Sequence, residues 1–336
     1  MPPKSMPIVA LSEMVHGQEA DLFVLMTARE ELTTREGKPY FKVAFRDAGR
    51  EVSFPIWGDA PWAAECRESW TPGTFYKLRA LYRETSYGPQ LDVRKIREVV
   101  EADAADGFDP GTCLPSSRFD PQAMFDRLVE LAERHVDDAG LRGLVVSILS
   151  GNREKLLVCP AARRHHHAFR GGLLEHTLSV ARNAAFLADK YAEDYPDMQP
   201  PLDKRLVVAG AILHDLGKVR ELDCEPTGAS YTPEGELVGH LLMSRDMVRE
   251  AGADAAIDAD VLLRLEHIMI SHQRLPEWGS PKPPMTPEAL LVHYADDVDA
   301  KYHMIYAILR DDATAGPLTS SRNLLRQKVY RGPEKG

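Results

Sequence analysis

Apolar and polar side chains alternate over the first hundred residues, a pattern that is typical of β-strands with one buried face. The predicted strands cover residues 21–27, 41–46, 52–57, 75–82 and 90–99. Asp47-Ala-Gly49 supplies a turn between the second and third strands, and residues 61–68 have a short helical pattern after the third. Five short strands with a helix after the third predict a small five-stranded β-barrel of the OB-fold type.

The pattern changes to a helical period beyond residue 120. Asp120-Pro121 has the chemistry of an N-cap followed by the first helical residue, and helical apolar patterns then continue to about residue 312. Residues 101–119 are acidic and rich in Ala, Gly and Pro, which predicts a linker, and residues 313–336 are expected to form a basic, poorly ordered tail. We therefore expect a multi-domain α+β chain, with a β-domain over 1–100 and an all-α bundle over 120–312.

The helical region carries a series of histidines and aspartates in apolar surroundings. The pair His214-Asp215 ends an apolar helix, where an unpaired buried carboxylate is costly and a metal ion offsets that cost. The other members of the series are His176, His240, His267, His272 and Asp296. Helices that direct such side chains to one point build the metal sites of helical bundles. The sequence therefore predicts a metal centre in this domain.

The residues that flank this series resemble those of a known superfamily. They include Gly171-Gly-Leu-Leu-Glu-His176, Ala211-Ile-Leu-His-Asp-Leu-Gly-Lys218 and Tyr294-Ala-Asp296. In the order of these histidines and aspartates, and in the sequence on either side of them, residues 155–310 resemble the HD-domain phosphohydrolases. More narrowly, they resemble the YhaM-type 3′-to-5′ exoribonucleases. The N-terminal region is similar to the OB-fold domains of those exonucleases to a lesser degree. The resemblance implies a metal-dependent enzyme that hydrolyses single-stranded RNA, or DNA, to 5′-mononucleotides.

The resemblance also implies how metal ions are held. One divalent ion would take His176, His214, Asp215 and Asp296, and Asp215 would bridge to a second ion held by His240 and His272. Imidazole and carboxylate ligands suit Mn²⁺, with Co²⁺, Fe²⁺, Ni²⁺ or Zn²⁺ as alternatives. Two such ions would activate a hydroxide near neutral pH and stabilise both the attacking and the leaving oxygen.

Three further side chains are candidates for contact with the substrate phosphate. Lys218 follows His214 by one helical turn and is a candidate catalytic group beside Asp215, since its charge would offset that of the phosphate. His167 and Arg170 precede the first ligand and would hold the scissile or the neighbouring phosphate. Glu175 and Asp299 are candidate partners for the ligands themselves.

The chain departs from the family pattern at one position. Gln273 follows His272 where the family has a second consecutive histidine, and an amide is a poorer ligand than neutral imidazole. Either the second ion is bound more weakly, or His267, one helical turn earlier, compensates. The number of ions, one or two, is therefore left open by the sequence.

Aromatic residues in the β-domain are candidates for base stacking, which single-strand-binding domains use with little sequence preference. Trp57 is the main candidate, followed by Tyr40, Phe41, Tyr82 and Tyr87. The net charge of −10 argues against a broad nucleic-acid surface, although residues 1–100 are neutral, with 14 basic and 14 acidic side chains. Two alternatives to the nuclease stay open: an HD phosphohydrolase of small or cyclic nucleotides, and a single-strand-binding protein whose metal site is degenerate.

The remaining sequence features bear on location. No apolar run is long enough for a membrane span, and the N-terminus lacks the pattern of a signal peptide, so a cytoplasmic chain without a membrane partner is expected. The four cysteines are scattered and predict neither a disulfide framework nor a thiolate zinc site. Assembly as a homo-oligomer is left open.

Overall fold

A computed structural model describes residues 6–34, 36–85, 88–162, 167–225, 228–253, 255–312 and 314–333. The chain divides into two compact units. The first, called the β unit, comprises Met1–Ser116 and Glu225–Gly228; the second, called the helical unit, comprises Ser117–Cys224 and Ala229–Gly336. The predicted α+β class is confirmed.

One antiparallel sheet forms the β unit. Its strands are β1 (Glu19–Thr33), β2 (Pro39–Arg46), β3 (Glu51–Trp57), β4 (Phe75–Thr85) and β5 (Gly88–Glu98), in the order β3-β2-β1-β4-β5, with helix α1 (Ala63–Glu68) after β3. The side chains of Leu22, Val24 and Met26 alternate with polar or less deeply buried neighbours and are fully buried. The period-two pattern therefore places one face of each strand in a common core.

The sheet is OB-like in its strand order, but it does not close into a barrel. Strands β3 and β5 approach to within 8 Å between Cα atoms, yet no ladder joins them in the described residues. The indole nitrogen of Trp62 donates to the Val93 carbonyl of β5 at 2.8 Å, which occupies an acceptor that a ladder would use. Pro55 in β3 has no N–H to donate. The open edge thus differs from the closed barrel predicted from the sequence.

The stacking candidates of the β unit lie in different environments. Phe41 and Tyr82 are both only 3% exposed and belong to the core, so they do not serve as platforms. Trp57 is 50% exposed, and its ring lies 5.2 Å from that of its cross-strand partner Tyr40. Tyr87 lies outside the described residues. Of the predicted set, exposed Trp57 and its partly buried partner Tyr40 therefore remain as candidates.

Residues 101–116 fold against the sheet instead of forming the expected linker. Two 3₁₀ helices, Glu101–Asp106 and Pro110–Cys113, lie in this stretch. Between them, the Phe108 ring packs 5.2 Å from Phe23 and 5.4 Å from Phe75. The composition is that of a loop, but burial of this one aromatic residue and of Cys113 fixes the segment on the β unit.

Helices make up most of the second unit. They are α2 (Pro121–His135), α3 (Ala139–Gly151), α4 (Arg153–Leu156), α5 (Gly172–Asp194), α6 (Lys204–Leu213), α7 (Lys218–Glu221), α8 (Pro233–Val238), α9 (His240–Gly252), α10 (Ala259–Ser271) and α11 (Pro287–Asp311). A two-stranded sheet, β6 (Leu222–Glu225) and β7 (Gly228–Tyr231), follows α7. In the described residues, no helix is both long and apolar enough to cross a membrane.

Helix α6 forms the centre of the bundle. Every residue from Leu206 to Leu213 is buried, and the helix packs against α2, α5, α10 and α11. Asp203 caps its N-terminus by accepting from the Arg205 and Leu206 amides at 3.1 and 3.3 Å. Because an all-apolar helix is buried on every side, the residues that follow its C-terminus also lie inside the unit.

The C-terminal segment, where it is described, makes contacts within itself and with the end of α11. The Thr319 amide donates to the Val329 carbonyl at 2.9 Å, and Thr319 is 2% exposed. The Arg331 guanidinium also pairs with Asp312 at the end of α11. Through the contact with Asp312, the segment packs against the end of α11.

Candidate metal centre

Five helical segments bring the predicted ligands together. His176 lies one turn into α5, and His214-Asp215 directly follows α6. His240 is the first residue of α9, His272 follows the last residue of α10, and Asp296 lies in α11. Each ligand therefore stands on, or next to, a helix that the apolar core holds in place.

The first group of ligand atoms surrounds the Nε2 atom of His176. This atom lies 3.2 Å from Asp296 Oδ1, 3.3 Å from His214 Nε2 and 3.5 Å from Asp215 Oδ2. His214 Nε2 is also 3.5 Å from Asp215 Oδ2 and 3.9 Å from Asp296 Oδ1. Ligands bound at about 2.1 Å to one ion lie roughly 3 to 4 Å apart, so these four atoms fit one ion.

The second group faces the other oxygen of Asp215. Oδ1 lies 3.3 Å from His240 Nε2 and 3.6 Å from His272 Nε2. The amide nitrogen of Gln273 donates to His240 Nε2 at 3.0 Å. Rotation of this amide by half a turn would present its oxygen instead. Gln273, the residue that departs from the family pattern, therefore lies at the edge of the second ligand group.

All four histidines direct Nε2 inward because their Nδ1 atoms have partners. His214 and His272 donate from Nδ1 to the Ala211 and Met269 carbonyls at 2.8 and 2.9 Å. His176 and His240 donate to the carboxylates of Asp299 and Glu221 at 2.7 and 3.0 Å. A carbonyl or an ionised carboxylate can only accept, so each Nδ1 carries a proton and Nε2 is the ring atom left to bind a metal.

The electrostatics of the cluster favour ionised carboxylates. Burial acts to raise the pKa of Asp215, but Lys218 and the neighbouring imidazoles hold that pKa well below its usual value. Burial likewise acts to lower the pKa of Lys218, yet Asp215 keeps it above its usual value. Lys218 Nζ donates to Asp215 Oδ2 at 2.6 Å and is 7% exposed. Burial lowers the pKa of His272, which favours the neutral imidazole that metal binding requires.

Two buried polar atoms test whether the cluster fits a metal. Asp215 Oδ1 and His272 Nε2 are both buried without a hydrogen-bond partner in the described part of the chain. An acceptor buried in this way costs about 1–3 kcal/mol unless it is satisfied, and two facing acceptors cannot satisfy each other. A cation between them would satisfy both. The residues present therefore fit divalent ions, and the mixed N and O donor set is suited to Mn²⁺, Fe²⁺, Co²⁺, Ni²⁺ or Zn²⁺.

Other predicted site residues lie outside the cluster. The Nε2 atom of His267 accepts from the Met285 amide at 2.9 Å, so this side chain holds a loop and does not replace the missing histidine. His167 is 3% exposed and contacts Asp299 Oδ2 at 3.1 Å, behind His176. Arg170 is exposed, and Trp57 belongs to the β unit.

Two residues of the site carried no clear signal in the sequence. Glu221 accepts from both the backbone N–H and Nδ1 of His240, at 2.9 and 3.0 Å. His303, which has the sequence pattern of a surface histidine, stacks on His167 with ring centroids 3.9 Å apart. Glu221 lies three residues after Lys218, and this spacing on one helical turn is the signal that could have suggested it.

A cleft of about 550 Å³ in the helical unit opens over the second ligand group. Asp215, Lys218, His240, Gln273 and Asp296 line its inner part. The outer part is lined among others by Tyr231, Trp278 and Lys301. Trp278 is 51% exposed, and Lys301 Nζ lies 6.0 Å from its ring centroid. The cleft thus joins the candidate metal centre to an aromatic ring and a cation.

Comparison with known proteins agrees with this geometry. Residues 173–301 match the family model of the HD domain, which covers all of the predicted ligands. The helical unit thus contains an HD domain, which indicates the metal-dependent phosphohydrolase class of hydrolases. Among solved structures, the chain is similar to the solution NMR structure of the second OB-fold domain of replication protein A from Methanococcus maripaludis. The identity is 12% and the TM-score 0.23, over 28% of this chain and 97% of that one.

Proposed function

We propose that this chain is a metal-dependent 3′-to-5′ exonuclease that hydrolyses single-stranded RNA, and secondarily single-stranded DNA, to 5′-mononucleotides. One observation carries the proposal: the two oxygens of Asp215 face two different sets of imidazoles. Oδ2 faces His176 and His214, and Oδ1 faces His240 and His272. A carboxylate in this position is suited to bridge two ions, the arrangement that phosphodiester hydrolysis uses.

The protein side chains would have different roles at such a centre. His176, His214, Asp296 and Oδ2 of Asp215 would hold one ion, and His240, His272 and Oδ1 of Asp215 the other. When bound, the ions supply Lewis-acid stabilisation of the phosphate and a lowered pKa of water. Lys218 offsets the negative charge of Asp215 in the cleft, so that this carboxylate repels an incoming phosphate less. Asp299 and Glu221 orient His176 and His240.

Features of the cleft support a nucleotide chain as the substrate. The exposed ring of Trp278 offers a stacking surface for a base. Lys301 lies beside this ring and pairs with Asp297 at 2.8 Å. In the β unit, the exposed ring of Trp57 lies against the partly buried ring of Tyr40 on an OB-like sheet. Base stacking on such rings tolerates any sequence, which suits an enzyme that shortens a strand stepwise.

The test is a time course with 5′-labelled single-stranded RNA and Mn²⁺. The expected result is a ladder that shortens from the 3′ end and releases 5′-mononucleotides. The ladder should be absent with EDTA and with Asp215→Ala. A strand that stays intact but shifts on a native gel would contradict the proposal in favour of a single-strand-binding protein. Turnover of free or cyclic nucleotides with no strand shortening would contradict it in favour of a small-nucleotide phosphohydrolase.

A further inference from the structure

A second cleft lies in the helical unit, away from the inward-facing Nε2 atoms of the ligands. Its volume is about 450 Å³, and α2, α5 and α11 contribute to its walls. We call it the arginine cleft and define it by Arg118, Arg127, Arg182, Tyr302 and Tyr306. It lies on the Nδ1 side of His176, where Asp299 and His167 form part of its lining.

The guanidinium groups of the arginine cleft have no ion-pair partner among the described residues, although three carboxylates also line the cleft. In the described part of the chain, no carboxylate oxygen lies within 4.0 Å of a guanidinium nitrogen of Arg118, Arg127 or Arg182. The carboxylates of the lining accept hydrogen bonds from groups other than these arginines. Asp120 caps α2 through the Ala123 amide at 2.9 Å, and Glu175 accepts from Ser117 Oγ at 2.6 Å.

The third lining carboxylate, Asp299, accepts from His176 and contacts His167 Nε2. The guanidinium groups are therefore available to an anion from outside the chain. Arginine binds phosphate oxygens through paired N–H groups, which makes phosphate the anion that suits them best.

Aromatic rings stand beside these charges. The Arg118 guanidinium carbon lies 4.8 Å from the centroid of Phe119 and 5.8 Å from that of Tyr306. Tyr302 is 73% exposed and Tyr306 46% exposed. Exposed rings next to guanidinium groups are the combination that binds a base together with its phosphate.

We infer that the arginine cleft is a second binding site, which takes a phosphate-bearing nucleotide. Its ligand is a free mononucleotide or one nucleotide of a strand, since both present a base and a phosphate. This inference goes beyond the proposed hydrolysis, because the cleft needs no metal and its walls hold no inward-facing Nε2 ligand atom. Binding there can be measured while the metal centre is inactive.

The experiment is calorimetric titration of the full-length protein in EDTA, so that no hydrolysis occurs. The probes are adenosine 5′-monophosphate and a six-nucleotide oligoadenylate RNA. The test variant is Arg127→Ala with Arg182→Ala, and the matched control is Arg249→Ala. Arg249 is an exposed arginine of the same unit outside the cleft, 3.9 Å from Glu266. Thermal melting of all variants checks that they are folded.

At least a tenfold loss of affinity in the double variant, with the control unchanged, is the expected result. A loss for the monophosphate identifies a free mononucleotide as the ligand, and a loss for the oligonucleotide alone identifies a strand. Tyr302→Ala should weaken the monophosphate more than inorganic phosphate, because the ring contacts the base. Equal affinities of wild type and double variant for both probes, or no binding by wild type, would overturn the inference whatever the outcome of the nuclease assay.

Discussion

Asp215 Oδ1 lies 3.6 Å from His272 Nε2, and both atoms are buried without a hydrogen-bond partner in the described residues. Both are acceptors, because His272 donates from Nδ1 to the Met269 carbonyl. Their approach is unfavourable in the protein alone and favourable when a cation lies between them. The helices that carry them thus hold the second ligand group in a geometry that a bound cation satisfies.

His272→Ala should therefore remove one ion and leave the other. The first group, with His176, His214 and Asp296, keeps its ligand atoms in this variant. We expect elemental analysis to fall from about two Mn²⁺ per chain to about one, with a loss of nuclease activity on the order of 100-fold.

The matched control for this loss is His267→Ala. His267 binds the Met285 amide and lies outside both ligand groups, so its metal content should equal that of wild type. Equal metal content in His272→Ala and wild type would show that His272 does not hold an ion.

Gln273→His should tighten the second ion. The Gln273 amide lies 3.0 Å from His240 Nε2, so an imidazole at this position would face the same group of atoms. Neutral imidazole is a better ligand than an amide for the transition metals that suit this site. We expect at least a tenfold gain in affinity for the weaker of the two ions in a Mn²⁺ titration. Unchanged affinity would mean that residue 273 does not reach the ion.

Glu221→Gln should weaken the same ion without removing a ligand. Glu221 fixes the tautomer of His240 and raises its basicity through the 3.0 Å contact with Nδ1. An amide oxygen still accepts the hydrogen bond from Nδ1 but carries no charge. The loss in Mn²⁺ affinity should therefore be about tenfold, the lower end of the range for partners of metal ligands. Glu236→Gln, at an exposed glutamate of α8, is the control and should titrate as wild type.

The candidate ligands could be selected from the sequence because their signal is local. Each of His176, His214, Asp215 and Asp296 lies within a helical apolar pattern, so a burial argument on a single segment identifies it. Glu221 and His303 were not predictable in this way, since their contacts with His240 and His167 depend on how separate segments pack. His267 shows the converse error: it has the right residue type and spacing, but its ring points to the Met285 amide.

The β unit shows the same limit of local patterns. Its strands were predictable from alternation, whereas the open edge between β3 and β5 depends on Trp62 and Val93, which are 31 positions apart. Residues 101–116 have a loop-like composition, yet a single aromatic residue, Phe108, determines where they pack. Composition averages over a segment and hides such a contact.

Gly217→Ala should destabilise the helical unit. A Cβ atom at this position would lie 2.2 Å from the His240 carbonyl oxygen and 2.6 Å from the Ser244 nitrogen, both of them backbone atoms that cannot rotate away. The turn after His214-Asp215 and the start of α9 would have to separate, at a cost of about 3 kcal/mol. Chemical denaturation in EDTA measures this loss without a contribution from metal.

The control for this substitution is Gly143→Ala, in the interior of α3. An added Cβ atom there meets nothing within 4 Å, and alanine is the better helix former. Gly143→Ala should therefore raise the free energy of unfolding by about 0.5–1 kcal/mol. If the two substitutions gave the same change, the close approach at Gly217 would not matter to stability.

Asp103 should make the stability of the β unit depend on pH. Its buried carboxylate accepts two bonds of 2.6 Å from Arg97 and one of 3.2 Å from Lys77. Although burial opposes the shift, the Arg97 guanidinium, foremost among these partners, holds the pKa of Asp103 far below its usual value. A depressed folded-state pKa contributes stability above the unfolded-state pKa of about 3.9, and this contribution is lost as the pH falls below it.

Asp103→Asn should therefore lower the free energy of unfolding by about 2 kcal/mol at pH 7, and the difference from wild type should shrink as the pH falls below about 3.9. Tryptophan fluorescence is a suitable readout because Trp57, Trp62 and Trp70 all lie in the β unit. Asp106→Asn is the control: Asp106 also pairs with Lys77, but its side chain is 55% exposed, so its removal should cost well under 1 kcal/mol. A pH-independent difference between Asp103→Asn and wild type would show that the charge of Asp103 is not what stabilises the unit.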